Sequence, residues 1–210
     1  MFRKLRDNMK PALALARPGK LIYRNAEYLS ATLAVDESAM RKWLPPGVKL
    51  AKPARADLFC AYFPDNSFGA VYREAGLFVH IQIGKKIGIH CPWMLVDNGT
   101  ALILGRELLG YPKKWGVLEW GRNGVALSAR ACRNGSELLR MQARLGSVIS
   151  EPPPFLGRPH RNVIGSLGFS LPRLLAFTPK ESNVETRQAE IEVSFNGSDS
   201  DPLDKMGLGR

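Results

Sequence analysis

The sequence predicts a mainly β fold with a few short helices (α+β), built on an antiparallel, barrel-like sheet, and three observations carry that expectation. Short apolar and β-branched runs recur along the chain with turn residues between them. Twenty Gly and 15 Pro punctuate 210 residues, too many for a helical bundle. The stretch with the fullest helix signals, Asp36 to Leu44, is short. With 45% apolar residues the chain fills one sizeable core. The expected division is a basic leader over 1–19, one domain over 20–195, and a polar tail over 196–210.

Taken in order, Leu21, Tyr23, Tyr28, Leu29, Thr32 and Val35 read as a strand pair, with Arg24 and Ala26 on one strand face. From Asp36 an N-cap, an early acid, late bases and the breaker Pro45-Pro46-Gly47 define a short helix. Residues 57 to 104 alternate apolar runs with turns: Leu58 to Phe63, Gly69 to Tyr72, Leu77 to Ile83, Trp93 to Val96 and Ala101 to Leu104. Arg73 to Gly76 is read as one turn, and Gly84-Lys85-Lys86 as another. Arg106 to Leu109 makes one helical turn, stopped by Gly110 and by Pro112, which disfavours helix at Tyr111. Lys113 and Lys114 then lie on a loop or turn entering the next strand. Two strands follow between Val117 and Leu145, with Asn123-Gly124 and Asn134-Gly135 as turn signals. Pro152-Pro153-Pro154 forms a rigid surface connection, and Arg158 to Phe177 and Gln188 to Phe195 resume the apolar runs.

The formal charge of +11 raises nucleic acid as a partner, but Lys and Arg are scattered, with one cluster at Arg3, Lys4, Arg6 and Lys10. Nucleic-acid modules gather charge and aromatics on one face, so no nucleic acid is expected. Cys60, Cys91 and Cys132 lie far apart without metal-ligand spacing and read as reduced, buried thiols. No apolar run approaches the ~20 residues that span a membrane, and Pro11, Arg17 and Pro18 interrupt the apolar start, which points to a cytoplasmic protein without a membrane partner.

Chemistry concentrates at Lys113-Lys114. A lysine amine attacks a ketone only when unprotonated, and its ordinary pKa lies near ~10.4. A second ammonium and an apolar wall both disfavour the charged form, and Lys114, Trp115, Leu108 and Leu109 are at hand. The same pair on a solvated turn would do nothing, and Lys85-Lys86 after Gly84 is read that way. His80, His90 and His160 are too dispersed for a triad or a metal site.

The run Gly105-Arg106-Glu107-Leu108-Leu109-Gly110-Tyr111-Pro112-Lys113-Lys114-Trp115-Gly116, with Leu95-Val96-Asp97-Asn98 upstream, resembles the active-site signature of the acetoacetate decarboxylases. Tyr72-Arg73-Glu74-Ala75-Gly76 sits at that family's spacing for an active-site glutamate, and weaker similarity runs from about Lys20 to Phe195. The resemblance implies Lys113 as the Schiff-base former, Lys114 as its activating neighbour and Glu74 as the active-site carboxylate. Acetoacetate decarboxylase is itself the reference example of a lysine activated beside another cation. It further implies a small-molecule oxo acid as substrate and no cofactor, because the lysine imine is its own electron sink. Tyr111 belongs to the signature as a supporting residue. Arg106 and Glu107 are read first as a buried clamp under the lysine loop. Trp93 and Met94 either line the pocket or are plain core.

Two positions depart from the family pattern: Ala26 stands where it has an arginine, and Phe59 near its second carboxylate. Arg24, two residues upstream, either reaches the pocket to pair with Glu74 or points to solvent. The family continues with another strand beyond a stretch like Asn196 to Arg210, so either the gene product is shortened or the domain lacks a C-terminal strand, leaving an edge that needs a partner or aggregates; a homo-oligomer is expected. The leading expectation is decarboxylation of a β-keto acid. Schiff-base aldol or dehydratase chemistry on another oxo acid, and a non-catalytic binder, remain as alternatives.

Overall fold

The computed structural model describes residues 21–165, 172–182 and 184–209; the basic leader lies outside them. Strand β1 spans Tyr23–Arg24 and β2 spans Glu27–Ala34, with Asn25 (φ 53°) between them. Helix α1 (Glu37–Met40) is capped by Asp36, whose carboxylate accepts the Ala39 N–H at 2.8 Å. Strands β3 (Lys49–Leu50), β4 (Arg55–Phe63), β5 (Asp65–Asn66), β6 (Tyr72–Ile83) and β7 (Lys86–Val96) follow. Helix α2 (Gly99–Leu109) leads into β8 (Lys113–Trp115). The remainder is β9 (Val117–Asn123), β10 (Ala126–Arg133), β11 (Ser136–Ile149), β12 (His160–Ile164), β13 (Arg173–Phe177) and β14 (Thr186–Phe195).

Among the described residues the strands form a large sheet of order β13-β12-β7-β6-β4-β2, with β3 on β6 and β8 on β7, a smaller sheet of order β14-β11-β10-β9, and a two-stranded pair of β1 with β5. The fold is mainly β as expected, but neither sheet closes into a barrel. The smaller sheet is half-buried in the manner of an antiparallel sheet over a core: Leu127, Ala129 and Ala131 face inward while Ala126 and Ser128 face water. Its inner face packs on Leu58, Leu77, Trp93 and Leu95 of the large sheet. The opposite face of the large sheet carries a second apolar cluster that includes Phe59, Phe78, Met94, Ala101 and Phe155. The central strands are therefore buried on both sides, which accounts for the nearly unbroken burial of β6 from Glu74 to Ile81.

Several local expectations change under tertiary pairing. Arg73 to Gly76 is no turn; β6 runs through it because Glu74 pairs with Ala61 on one side and Val96 on the other. Ladder pairing on both edges outweighs the weak strand preference of those residues. Ala101 to Leu104 is helix rather than strand, since the Asn98 side chain caps the Ala101 N–H at 3.1 Å and a four-residue apolar run does not distinguish the two. Gly110 ends α2 in the left-handed region (φ 65°), as the sequence indicated. Lys113 and Lys114 begin a strand, and β8 and β12 both run parallel to β7, in a sheet read as wholly antiparallel. Val117 to Leu145 holds parts of three strands, one more than the sequence suggested, turning at Gly124 and at Asn134-Gly135 with positive φ.

The stretch after Phe195 is not a free polar tail. Leu203, Met206 and Leu208 join the main core, and Leu208 bridges to Val35. Asp201 is fully buried there and accepts from Trp93 Nε1 (3.1 Å), Lys114 Nζ (2.9 Å) and Arg133 (2.7 Å). Burial pulls this carboxyl upward, but the bonds from Lys114, Arg133 and Ser200 outweigh it and hold the group below its ordinary value. Among the described residues no helix is long and apolar enough to cross a membrane.

Removing a carboxylate that two cations and an indole share leaves buried donors without an acceptor. Asp201→Asn is expected to cost about 3 kcal/mol of stability in urea denaturation. Unfolding at wild-type urea concentration would show Asp201 to be peripheral.

Candidate active site

Strand register assembles the site. Gly76 of β6, Met94 of β7 and Lys113 of β8 lie in one row across the sheet, and Phe59 of β4 extends it. The next row, Cys60, Ala75, Leu95 and Lys114, points to the other face. The row beyond, Ala61, Glu74 and Val96, returns to the first face. Lys113 and Glu74 thus converge from β8 and β6 on the same side.

Both are buried, Lys113 at 5% and Glu74 at 6% exposure, and the Lys113 amine contacts Glu74 Oε1. Tyr72 and Tyr111 flank the amine, each ring centroid 5.7 Å from Nζ. Helix α2 forms the remaining wall. A Cβ at Gly105 would stand 2.5 Å from Lys113 Cε, so only glycine lets the lysine stem lie against the helix. Arg106 donates to the Lys113 carbonyl at 2.9 Å, and the Tyr111 N–H returns to Gly105 O at 3.1 Å, which fixes the turn between helix and lysine.

Electrostatics around the pair is set by burial. Tyr72 is pushed up by burial and then by the Glu74 charge, and Tyr111 by burial and then by Cys91 and Glu74, so both hydroxyls stay protonated. The Tyr111 hydroxyl lies 2.8 Å from His160 Nδ1, and burial lowers His160 to about 4, so that ring is neutral at neutral pH. Cys91, close enough to feel both Lys113 and Glu74, is raised by burial and is an unreactive thiol. Cys60 is pushed up to about 12 by burial, while Cys132, read as buried, is half-exposed. A buried amine in contact with a carboxylate, between protonated phenols, can exchange a proton and add to a carbonyl carbon. Among the described residues no group of three His, Cys, Asp or Glu is placed to hold a metal ion.

The sequence-derived site residues divide. Lys113, Glu74, Met94 and Tyr111 share one face. Lys114 does not join them, because successive strand residues alternate; its ammonium is paired with Asp201 on the core side. Trp93 is likewise turned to the core, with its indole on Asp201. Arg24 does not meet Glu74: Asn25 interrupts the strand, ending the shared face with Ala26, and Arg24 pairs with Asp65 at 3.3 Å in an exposed bridge. The Arg106–Glu107 clamp is replaced by Arg106 alone, since Glu107 is exposed. Lys85-Lys86 sits at the hairpin between β6 and β7. The sequence gives Tyr72 and Gly105 no role beyond their places in the quoted runs, and its three dispersed histidines carry no signal that places His160 beside Tyr111.

A sequence profile described as Acetoacetate decarboxylase (ADC) matches residues 6–210. Acetoacetate decarboxylase of Clostridium botulinum (strain Eklund 17B / Type B) is 33% identical over 107 residues, covering 50% of this chain and 44% of that protein. That of Acidiphilium cryptum (strain JF-5) is 30% identical over 132 residues, covering 55% and 54%. The chain spans about half the length of these relatives. The acetoacetate decarboxylase structure from Legionella pneumophila superposes with a TM-score of 0.80 at 15% identity over 91% of this chain and 80% of that one. The enduracididine biosynthesis enzyme MppR complexed with pyruvate gives 0.74 at 18%, over 88% and 81%. At these identities the structural matches establish the fold.

Two outcomes test the geometry. Gly105→Ala drives a methyl into the Lys113 stem, and is expected to slow imine trapping at Lys113 at least about tenfold while the thermal unfolding temperature moves by a few degrees. Trapping at the wild-type rate would show that the lysine does not need this wall. His160 is held neutral by burial, so the unfolded state binds the extra proton between about pH 6.5 and 4. Stability should fall as pH drops through that window, and more shallowly in His160→Gln; equal slopes would remove His160 from the acid response.

Proposed function

Because the chain belongs to the acetoacetate decarboxylase family, we propose that it is a Schiff-base-forming lyase that decarboxylates a β-keto acid through Lys113. The observation that carries this reading is the buried contact between the Lys113 amine and Glu74. In a dry site an ion pair and its proton-exchanged neutral form come closer in energy than in water, which makes a nucleophilic amine accessible. Nζ then adds to the ketone carbon, the carbonyl oxygen gains protons within the pair and leaves as water, and a protonated imine remains. The bond to the carboxylate breaks, its electron pair flows to the imine nitrogen, and carbon dioxide departs. The resulting enamine takes a proton at carbon, and water releases ketone and amine. Glu74 is the proton carrier, Tyr111 and Tyr72 are the walls that exclude water, and no separate electron sink is needed.

Lys114 acts indirectly in this scheme. Its charge is matched by Asp201, and it holds β8 to the core rather than repelling a proton from Lys113.

One observation favours a second reading. Arg24 is engaged with Asp65, and Ala26 stands where the family pattern has an arginine, so neither position offers a cation to a substrate carboxylate. Aldol-type condensation or dehydration of an oxo acid uses the same imine without expelling carbon dioxide, and is the alternative. Localisation in the cytoplasm and assembly as a homo-oligomer belong to the same proposal.

Incubation with acetoacetate, acetopyruvate or pyruvate, borohydride reduction and intact mass should give an adduct that Lys113→Ala abolishes and that Lys85→Ala and Lys86→Ala keep. An adduct that survives Lys113→Ala would end the assignment, and the products separate decarboxylation from aldol chemistry.

A further inference from the structure

On the sheet face that carries Glu74 and Lys113, beside Ala61, Met94 and Val96, a group of rings packs together. Phe59 of β4 lies opposite Gly76, and a Cβ added there would fall 2.8 Å from its ring. Glycine is what lets that ring lie across β6, two residues and so about 6.6 Å along the strand from Glu74. Phe59 stacks on Phe78 with centroids 4.5 Å apart. Phe155 closes over both at 6.3 and 5.7 Å, and Tyr28 stands 5.7 Å from Phe155.

These rings are not held alike. Tyr28, Phe59 and Phe78 belong to β2, β4 and β6, whose backbones are tied into continuous ladders. Phe155 sits in the loop after β11, where it is the buried residue of 150–157. The loop's N–H groups at Leu156 and Arg158 bond to Pro153 and Phe155 carbonyls, closing turns within the loop instead of joining the sheet. Its far end is fastened. Arg158 donates to His80 Nδ1 at 3.3 Å, His80 Nε2 meets Asp57 at 2.7 Å, and the Thr32 hydroxyl donates to Asp57 at 2.6 Å. Between the rigid Pro152-Pro153-Pro154 and this anchor, Gly157 adopts φ 67°. Phe155 is thus the ring in this wall whose withdrawal breaks no strand pairing.

Withdrawing it leaves a slot of one ring's thickness, bounded by Tyr28 and the Phe59–Phe78 stack and next to the lysine–glutamate pair. A guest ring restores the lost stacking; a methyl group does not, and a carboxylate there would be desolvated against aromatic faces. Resting on the Schiff-base reading above, we propose that this site takes an oxo acid whose oxo carbon carries an aromatic ring on a short linker. The ring replaces Phe155 between Tyr28 and Phe59 while the oxo carbon reaches Lys113 Nζ.

The test is competition between pyruvate and 2-oxo-4-phenylbutyrate under borohydride, read by intact mass as the ratio of the two adducts on Lys113. The wild-type ratio should favour the aryl acid by about tenfold or more. Phe59→Leu removes a stacking face and should bring the ratio close to one. Phe155→Ala, or Phe155→Leu if the first is unstable, removes the ring that must be displaced and should raise the ratio severalfold. A purely structural Phe155 would lower both adducts together with the ratio unchanged, and that outcome overturns the inference. A wild-type ratio near one, or a ratio lowered by both Phe155 variants, overturns the inference and leaves the Schiff-base reading standing. No adduct with either acid while acetoacetate still gives one on Lys113 overturns the inference alone; no adduct with any of the three overturns both.

Discussion

Side chains alternate along a strand with a period of two, and in this protein the three residues of β8 turn that rule into a division of labour. Parallel pairing to β7 fixes the register, with Met94 opposite Lys113 and Leu95 opposite Lys114. Lys113 is delivered to the face that holds Glu74, and Lys114 to the face that holds Asp201. A shift of one residue would exchange the two lysines and bury each ammonium beside the wrong neighbour. The register is held on both sides: Arg106 grips the Lys113 carbonyl from the helix, and Asp201 draws Lys114, Arg133 and Trp93 together beneath it.

This places unusual demands on the large sheet. Both of its faces are covered, one by the smaller sheet and one by α2 and the loop after β11. Charges on such a sheet survive only with partners, and the buried ones have them: Glu74 with Lys113, Asp57 with His80 and Thr32, Asp201 with two cations. The first pair lies among rings whose own acidity is suppressed by burial. The last is built into the core, where it fixes geometry. The pair with Lys113 is the one proposed above to act on a substrate, while Asp57 and Asp201 fix geometry.

Helix α2 links the two. Its N-cap, Asn98, is separated from the end of β7 by one residue, Asp97, and its left-handed stop at Gly110 returns the chain alongside β7 as β8. Between them Gly105 gives up a side chain so that the lysine stem can lie on the helix surface. The crossover that makes a parallel pair possible thus also shapes the wall around the amine.

What the sequence by itself determined is local. The cap at Asp36, the hairpins at Gly84, Gly124 and Gly135 and the stop at Gly110 are written in residues that act on their immediate neighbours, and the structure agrees with each, as the run from Gly105 to Gly116 is written in contiguous residues. Membership of the family was legible because that run is contiguous. The tertiary structure decided which face each residue serves. Glu74 lies 39 positions from Lys113, and Asp201 lies 87 from Lys114. Adjacent lysines looked like partners, and Arg24 looked able to reach Glu74, because a sequence read alone assumes that nearness along the chain is nearness in space. Strand alternation reverses that at β8, and the positive φ of Asn25 reverses it before β2. Such assignments follow from long-range register, which no local pattern encodes.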